Sequence, residues 1–555
     1  MAALDLSPAV EKLRQKMRAT NFIQRRLTDL LLENPHRVTL VVAPDANLDQ
    51  ERKDRETSRL ATMRASLDEE AINNIRKLAT DLEARQNQVD DASILPKVGI
   101  SDIPKDLSAP TLERRPLSSG QTHFVGASGT NGLVYQQVAM DLPALTEAQQ
   151  GRLPLLCALA TEVGLGGSTY LDIQDRQSST VGSLSLSVST RASREDVNEA
   201  FGYLVTASKA LANRIPDQVS LMMDTLMRAS FDETDRIKEL ISQMRARRDQ
   251  SISGAGHSLA MTAASAGMSP LASLYQSQSG LAGIASLRAL DNALSDSTAL
   301  HDLSTELAEL RDHLLSSPSF NLLTVSDSQS LDQAAQALID AVAPLANSDR
   351  TSTWTPGEKQ ASTNQIWVAN TQVNFCAKAY PTVSSGHPDA PALTVLGAYL
   401  RNGFLHRAIR EQGGAYGGGA SHDANVGAFR FFSYRDPRNI GTLADFEASV
   451  EWLLSSKADS HALEEAILSV VSSLDKPASP AGEVKKAFYD TLYKRTLEQK
   501  RALREAIINT RHEDLCRVAD TYLKPELACS VILTDAKSAE SESLSSLGWQ
   551  HHDVS

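Results

Sequence analysis

Hydrophobic positions along the chain follow two periods, and the order in which they alternate repeats itself. From Thr122 onward, a strand-like run at 132–141 leads to a helical stretch at 147–163. After it come Gly164-x-Gly166-Gly167, a short segment at 170–177, an alternating strand at 180–189 and a helix-like run at 193–212. The same order returns later: a strand at 364–379, a helix at 389–401, Asn402-Gly403, a short segment at 404–412, a strand over Ala428–Tyr434 and a helix at 443–456. Apolar residues spaced by three and four argue for helix and strict alternation for strand. A pattern that recurs in the same order and spacing argues for two diverged copies of one α+β unit. Each copy closes with further helix, at 232–251 in the first and at 462–474 and 484–508 in the second, and with a strand, at 320–325 and 528–533.

Upstream of the repeats the pattern changes twice. Residues 1–48 read as two helices, 9–18 and 23–32, then a strand over Val38-Thr39-Leu40-Val41-Val42. One strand and two helices do not close a layered core, so this segment is expected to be the remnant of a preceding domain. Residues 49–95 are densely charged, with Leu60, Met63, Leu67, Ile72, Ile75, Leu78 and Leu82 in a helical stripe. A break at 65–68 predicts a helical hairpin. Pro96, Pro104, Pro110 and Pro116 then punctuate an extended linker at 96–116. The polar stretch 348–363, with its Pro356-Gly357 turn, separates the two repeats. The fold class that follows is α+β: a helical hairpin ahead of two repeated domains, 117–347 and 360–540.

Composition narrows the function classes. A chain of 555 residues can bury two or three cores, and 41% hydrophobic with 22% charged residues is ordinary globular composition. The net charge of −13, with no clustered cationic run, argues against nucleic acid as a partner. No 18-residue apolar stretch and no N-terminal apolar h-region occur, so no membrane partner is expected. Cys157, Cys376, Cys516 and Cys529 are widely spaced and form no C-x-x-C, which suits free thiols in a reducing compartment. That compartment is a bacterial-type cytoplasm, or an organelle matrix if the source is eukaryotic.

The most distinctive stretch is 402–437, NGFLHRAIREQGGAYGGGASHDANVGAFRFFSYRDP. Five glycines in the seven residues 413–419 permit left-handed backbone and close approach to a ligand. Arg410 precedes the loop and Tyr416 is the only large side chain within it. Two readings stand side by side. Cations such as Arg407 and Arg410 are favoured in a last helical turn, and a tyrosine among glycines can be a packing anchor; alternatively the loop and the two side chains contact a substrate. A phosphate loop is a poor match, because no Lys-Ser/Thr follows the glycines. The following strand, Ala428 to Tyr434, alternates one apolar and one mixed face and serves packing or lines a hydrophobic pocket.

IREQGGAYGGGA, with SYRDP about twenty positions on, resembles the C-terminal half of the pitrilysin/insulinase family of zinc metallopeptidases, in its presequence-protease subfamily. The resemblance implies metallopeptidase-type α/β sandwich domains and an R-x5-Y pair, here Arg410 and Tyr416, that reaches the scissile region of a bound peptide. Gly413, Gly414, Ala415 and Gly417 are the corresponding substrate-binding backbone positions. It also implies a clamshell of two halves joined by a helical hairpin, acting on short unstructured peptides.

The family's zinc site requires H-x-x-E-H, which sets two imidazoles on one helix face with a glutamate as general base. None of the twelve histidines opens H-x-x-E-H or H-E-x-x-H. His512-Glu513 is followed by Cys516 where a second histidine is needed; His406 reads as helix surface or cavity wall, and His551-His552 as a frayed end. The expectation is that this chain holds no metal site, that zinc belongs to the complete enzyme, and that a zinc-bearing N-terminal half is the partner, in cis or in trans. A non-catalytic peptide-binding scaffold of the same fold, or an inactive gene fragment, is the alternative.

Overall fold

The computed structural model describes the chain apart from residues 1–6, 19–20, 46, 87–93, 95, 108–109, 118–119, 317–318, 346–353 and 456–457. It separates into two compact units, 1–97 and 98–555.

In the first unit the helix Ser7–Met17 is followed by Phe22–Leu27, which runs on as the π-helical turn Thr28–Leu32. Two helices form, Leu48–Ala65 and Glu69–Gln86, with the break at Ser66 to Asp68, but the stripe does not close between them: Leu60, Met63, Ile75, Leu78 and Leu82 are 51 to 59% exposed. Asp68 caps the second helix by accepting a hydrogen bond from the Ala71 amide at 2.8 Å. The strand expected at Val38 to Val42 does not form. The segment is irregular, and Val38, Leu40, Val41 and Val42 are 82 to 87% exposed. β-propensity alone cannot hold a strand for which no described residue supplies a ladder.

The second unit contains the two repeats, each built on a six-stranded sheet. The first has strands β1 (Glu113–Pro116), β2 (Thr122–Ala127), β3 (Leu133–Asp141), β4 (Ser183–Ala192), β5 (Ala200–Leu211) and β6 (Phe320–Ser326), in the order β1-β2-β6-β3-β5-β4. The second has β7 (Gln365–Val368), β8 (Phe375–Pro381), β9 (Gly417–Asp423), β10 (Ala428–Tyr434), β11 (Cys529–Thr534) and β12 (Gln550–Asp553), in the order β12-β7-β11-β8-β10-β9. Apart from the outermost strands β1 and β12, the two orders are one permutation. The pairing senses match as well: β2–β6 and β7–β11 are parallel, and the pairs that follow are antiparallel. The duplication is therefore topological.

Within the two sheets, several sequence expectations change. Residues 193–212, expected as helix, contain strand β5, whose two faces are both covered. Leu204 faces the helical core of the first repeat while Tyr203 and Val205 face a second cluster. A strand apolar on both faces loses the alternation that identifies it. The run 364–379 is interrupted and becomes β7 and β8. Gly417-Gly418-Gly419, expected as loop, is paired as β9 opposite Tyr434, Ser433 and Phe432. His551-His552 are not frayed: they pair in β12 opposite Ile366 and Trp367, and the His552 ring stacks on Trp367 at 4.5 Å.

The repeats exchange helices. Thr234–Ser265, from the first repeat, lays Ile252, Leu259, Ala260 and Ala263 on Phe375, Ala377, Val531 and Leu533 of the second sheet. In return Pro480–Leu492, from the second repeat, sets Val484, Phe488 and Leu492 against Phe124, Val205 and Leu323 of the first. Glycine makes both contacts close. A Cβ on Gly256 would meet Phe375 Cδ2 at 2.5 Å, and one on Gly126 would overlap the Val484 side chain. The linker wraps onto the second repeat: the carbonyl oxygens of Pro104 and Leu107 accept from the guanidiniums of Arg504, at 2.6 Å, and Arg501, at 3.3 Å. Ile100 donates its amide to Glu464 at 3.0 Å.

Candidate functional site

The helix Ala390–Leu400 does not stop at Asn402-Gly403. It continues as a twelve-residue π-helix, Arg401–Gln412. Long i→i+5 helix is uncommon and concentrates at functional positions. Leu405, Ala408 and Ile409 bury its inner face, and Gly403 admits Trp452, whose ring a Cβ would meet at 2.5 Å. The outer face leaves His406, Arg407 and Arg410 exposed, with His406 Nδ1 3.5 Å from Glu411.

The loop after it is a fastened turn. Ala415 donates its amide to Ile409 O and Gly414 donates to Arg410 O, both at 3.1 Å. With Gly414 at φ +80, this is a Schellman stop of the helix. The Gly413 amide also donates to Arg410 O, and the Tyr416 amide reaches Tyr434 O at 3.1 Å and Arg435 O at 3.3 Å. All four backbone donors from 413 to 416 are thus used internally. The space that glycine frees at Gly413 is filled by Arg438, and at Gly418 by Ile409. Ala415 is buried in the core of the repeat. Only Gly414 and Gly417 leave open approach, with nothing nearer than 3.5 Å to a Cβ at the first and nothing within 4 Å at the second. The glycine-rich run holds the turn close to the sheet and is not a cradle of free amides.

What the turn presents is side chains. Tyr416 is 66% exposed, the only exposed aromatic among the described large apolar residues. Its ring stands edge-on to Tyr434, centroids 5.5 Å apart and planes at 85°. The Arg410 guanidinium carbon lies 5.9 Å from the Tyr416 centroid, and that of Arg435 5.3 Å from the Tyr434 centroid. Two cations and two edge-on phenol rings thus form one continuous cluster. No carboxylate pairs with Arg410, and no group accepts from the Tyr416 hydroxyl, among the described residues.

The structure therefore brings Arg410 and Tyr416 together, as their spacing suggested, and adds three residues that sequence reasoning missed. Tyr434 is the support beneath Tyr416. Arg435 extends the cluster from a left-handed backbone, φ +50, unusual for a side chain of its size. His257, from the exchanged helix Thr234–Ser265, packs on Tyr434 at 4.8 Å, and burial lowers its affinity for a proton. SYRDP held the first two in plain view; nothing near position 257 signals the third. Beneath the turn, the carboxylate of buried Asp436 accepts from the Arg438 amide at 2.9 Å and the Thr442 hydroxyl at 2.7 Å, which fixes the chain after Arg435.

Among the described residues, no group of three or more His, Cys, Asp or Glu is gathered that could hold a metal ion. His512 contacts Cys516 at 3.6 Å and sits against Tyr399. All four cysteines are free. The residues present do not fit a catalytic zinc site.

Residues 42–290 match the family model for the associated domain of peptidase M16 subfamily C, and residues 364–534 match the "PreP C-terminal domain". Both repeats match the C-terminal half of pitrilysin-family presequence proteases. It is 28% identical over 549 residues to "Presequence protease, mitochondrial" of Danio rerio, covering 94% of this chain and 52% of the relative. It is 25% identical over 492 residues to "Presequence protease 1, chloroplastic/mitochondrial" of Arabidopsis thaliana, covering 87% and 45%. The chain therefore spans about half the length of these relatives, and corresponds to their C-terminal half. Two solved structures share the fold. A conserved protein from Enterococcus faecalis aligns with TM-score 0.55 at 14% identity, over 76% of this chain and 98% of its own. A peptidase M16 inactive domain from Pseudomonas fluorescens aligns with TM-score 0.52 at 15% identity, over 77% and 98%. No described helix is long and apolar enough to cross a membrane.

Proposed function

We propose that this chain is the substrate-side half of a zinc-dependent endopeptidase that degrades short unstructured peptides, and that it acts with a separate or covalently linked H-x-x-E-H half. The observation that carries the reading is the Arg410–Tyr416 couple, without a carboxylate partner among the described residues, displayed on a turn whose own backbone amides are all hydrogen-bonded. An exposed cation and phenol held in one place, neither paired with a carboxylate among the described residues, suit a neighbour on which negative charge develops.

Peptide hydrolysis builds such charge on the carbonyl oxygen as it becomes tetrahedral. Donors already fixed at that point stabilise the transition state more than the ground state. Arg410 carries a permanent charge on a planar fork and Tyr416 an O–H. The zinc and the general base come from the H-x-x-E-H half. The exposed run Val38, Leu40, Val41 and Val42 in the first unit supports a partner, since contiguous apolar surface of this kind is normally covered. The relatives' names place them in mitochondria or chloroplasts, and four free cysteines suit a reducing matrix of that type.

The test is cleavage of an unstructured fluorogenic peptide by this chain alone and mixed with a separately expressed H-x-x-E-H half, with bound zinc quantified in each. Activity and stoichiometric zinc only in the mixture support the reading. Zinc and turnover in this chain alone would overturn it, and silence in the mixture would leave a peptide-binding scaffold.

A further inference from the structure

Beside the exchanged helix Pro480–Leu492 lies a cavity of about 230 Å³, formed by the first sheet on one side and this helix of the second repeat on the other. Its lining is polar and cationic: Lys209 and Lys485, the serines 183, 185 and 187, Gln137 and Tyr489, with Val205 and Ala207 beneath. The pattern has a simple origin. On edge strand β4 the even positions Leu184, Leu186 and Val188 turn to the helical core, so the odd ones present serine hydroxyls to the other face. Register then sets Lys209 opposite Ser183 and Tyr135, and Ala207 opposite Ser185 and Gln137. Lys485 and Tyr489 are four apart on the helix and share its inward face.

Three features mark this as a site for a ligand. Neither lysine forms an ion pair among the described residues, although the chain carries a net charge of −13. No carboxylate lines the cavity. The two ammonium groups are close enough to act on one another: burial and then the Lys209 charge both lower the proton affinity of Lys485, whose ammonium lies 4.6 Å from the centroid of Tyr135. Two half-buried like charges facing one cavity are unfavourable unless something negative joins them. The Tyr489 hydroxyl, pushed up to about 12 by burial and then by Tyr493, remains a neutral donor. The cavity is smaller and far more polar than the apolar clefts that take drug-sized molecules.

We infer that this cavity binds a small oxyanion, held by Lys209 and Lys485 with the β4 serines and Tyr489 as neutral donors. Inorganic phosphate and the terminal carboxylate of a peptide both have this chemistry. The site needs both repeats, since each contributes one lysine, and it does not depend on the peptidase reading.

The experiment is calorimetric titration of the full chain, at low ionic strength, with inorganic phosphate and, separately, with an unstructured decapeptide and its C-terminally amidated copy. Saturable one-to-one binding is expected, weakened about tenfold or more by Lys209→Met or Lys485→Met, as loss of a charge-assisted bond implies. Lys486→Met, at the exposed neighbouring position, should bind as wild type. Ser185→Tyr, which fills the mouth from an exposed strand position without removing charge, should also abolish binding, and guards against a lysine variant that fails to fold. Binding of phosphate alone identifies free phosphate as the ligand class; binding of the free-acid peptide and not of its amide identifies a chain terminus. No saturable binding of either probe, or unchanged binding in all three cavity variants, overturns the inference.

Discussion

Tyr434 stands edge-on beneath Tyr416, ring centroids 5.5 Å apart and planes at 85°, and this contact aims an exposed phenol that would otherwise swing freely. Such an aromatic pair is worth about 0.5–1.5 kcal/mol beyond its buried area. Tyr434→Phe keeps the ring and should leave turnover of the assembled peptidase unchanged. Tyr434→Leu should lower kcat about tenfold with KM little altered, because the donor is misplaced and peptide binding is not. Steady-state kinetics on the two variants separates positioning from general destabilisation: an equal loss in both, or a loss confined to KM, would refute the positioning role.

The couple above it should matter more. Removing a donor that acts on developing oxyanion charge typically costs about a hundred- to a thousandfold in rate. Tyr416→Phe and Arg410→Ala in the reconstituted enzyme are each expected to fall in that range, with peptide affinity changed far less. Neither side chain packs into a core, so both variants should unfold at the same denaturant concentration as the parent. Unchanged turnover in both would remove Arg410 and Tyr416 from the chemistry.

The repeats themselves could be read from the sequence because order and spacing survive divergence. The single permutation shared by the two sheets is the structural form of that pattern. That Arg410 and Tyr416 lie close together was legible because they flank one glycine-rich turn six positions apart; their part in substrate contact came from the family resemblance alone. Strand β5 was not, since covering both faces removes its period. Nor was the pairing of Gly417-Gly418-Gly419, where glycine carries no side-chain alternation to read. His257 and the Lys209–Lys485 cavity were out of reach for a different reason: each depends on a helix laid across the other repeat's sheet, a contact between residues far apart in sequence that no local pattern encodes.

That exchange rests on close backbone approach, which glycine substitutions should expose. In helix Thr234–Ser265, Gly254 faces open space while Gly256 faces Phe375 at 2.5 Å. Ala255 between them has non-helical φ −124° and ψ 16°, a kink located at the glycines. Gly254→Ala should stabilise the chain by about 0.5–1 kcal/mol through propensity and a less flexible unfolded state. Gly256→Ala makes the same change in propensity but drives a methyl into the Phe375 ring, and overpacking of this kind costs about 1–3 kcal/mol. Urea denaturation should therefore shift the two midpoints in opposite directions. A shift in the same direction would mean that the repeats adjust freely at this contact.

His123 makes the first repeat acid-sensitive. It is fully buried on β2, with Nε2 2.9 Å from the Thr324 hydroxyl and Nδ1 without a partner. Burial, and then the nearby Arg115 charge, lower its pKa to about 4. The unfolded chain protonates the same ring near 6.5. Between these values the unfolded state binds the extra proton, so stability present above pH 6.5 is lost as pH falls towards 4. At pH 5 the loss from this one residue is about 2 kcal/mol. His123→Gln can keep the bond to Thr324 without a titrating group. Its denaturation midpoint should lie below that of the parent at pH 7 and draw level with or pass it near pH 5. Midpoints of parent and variant that fall in parallel between pH 7 and 5 would show that the acid sensitivity lies elsewhere.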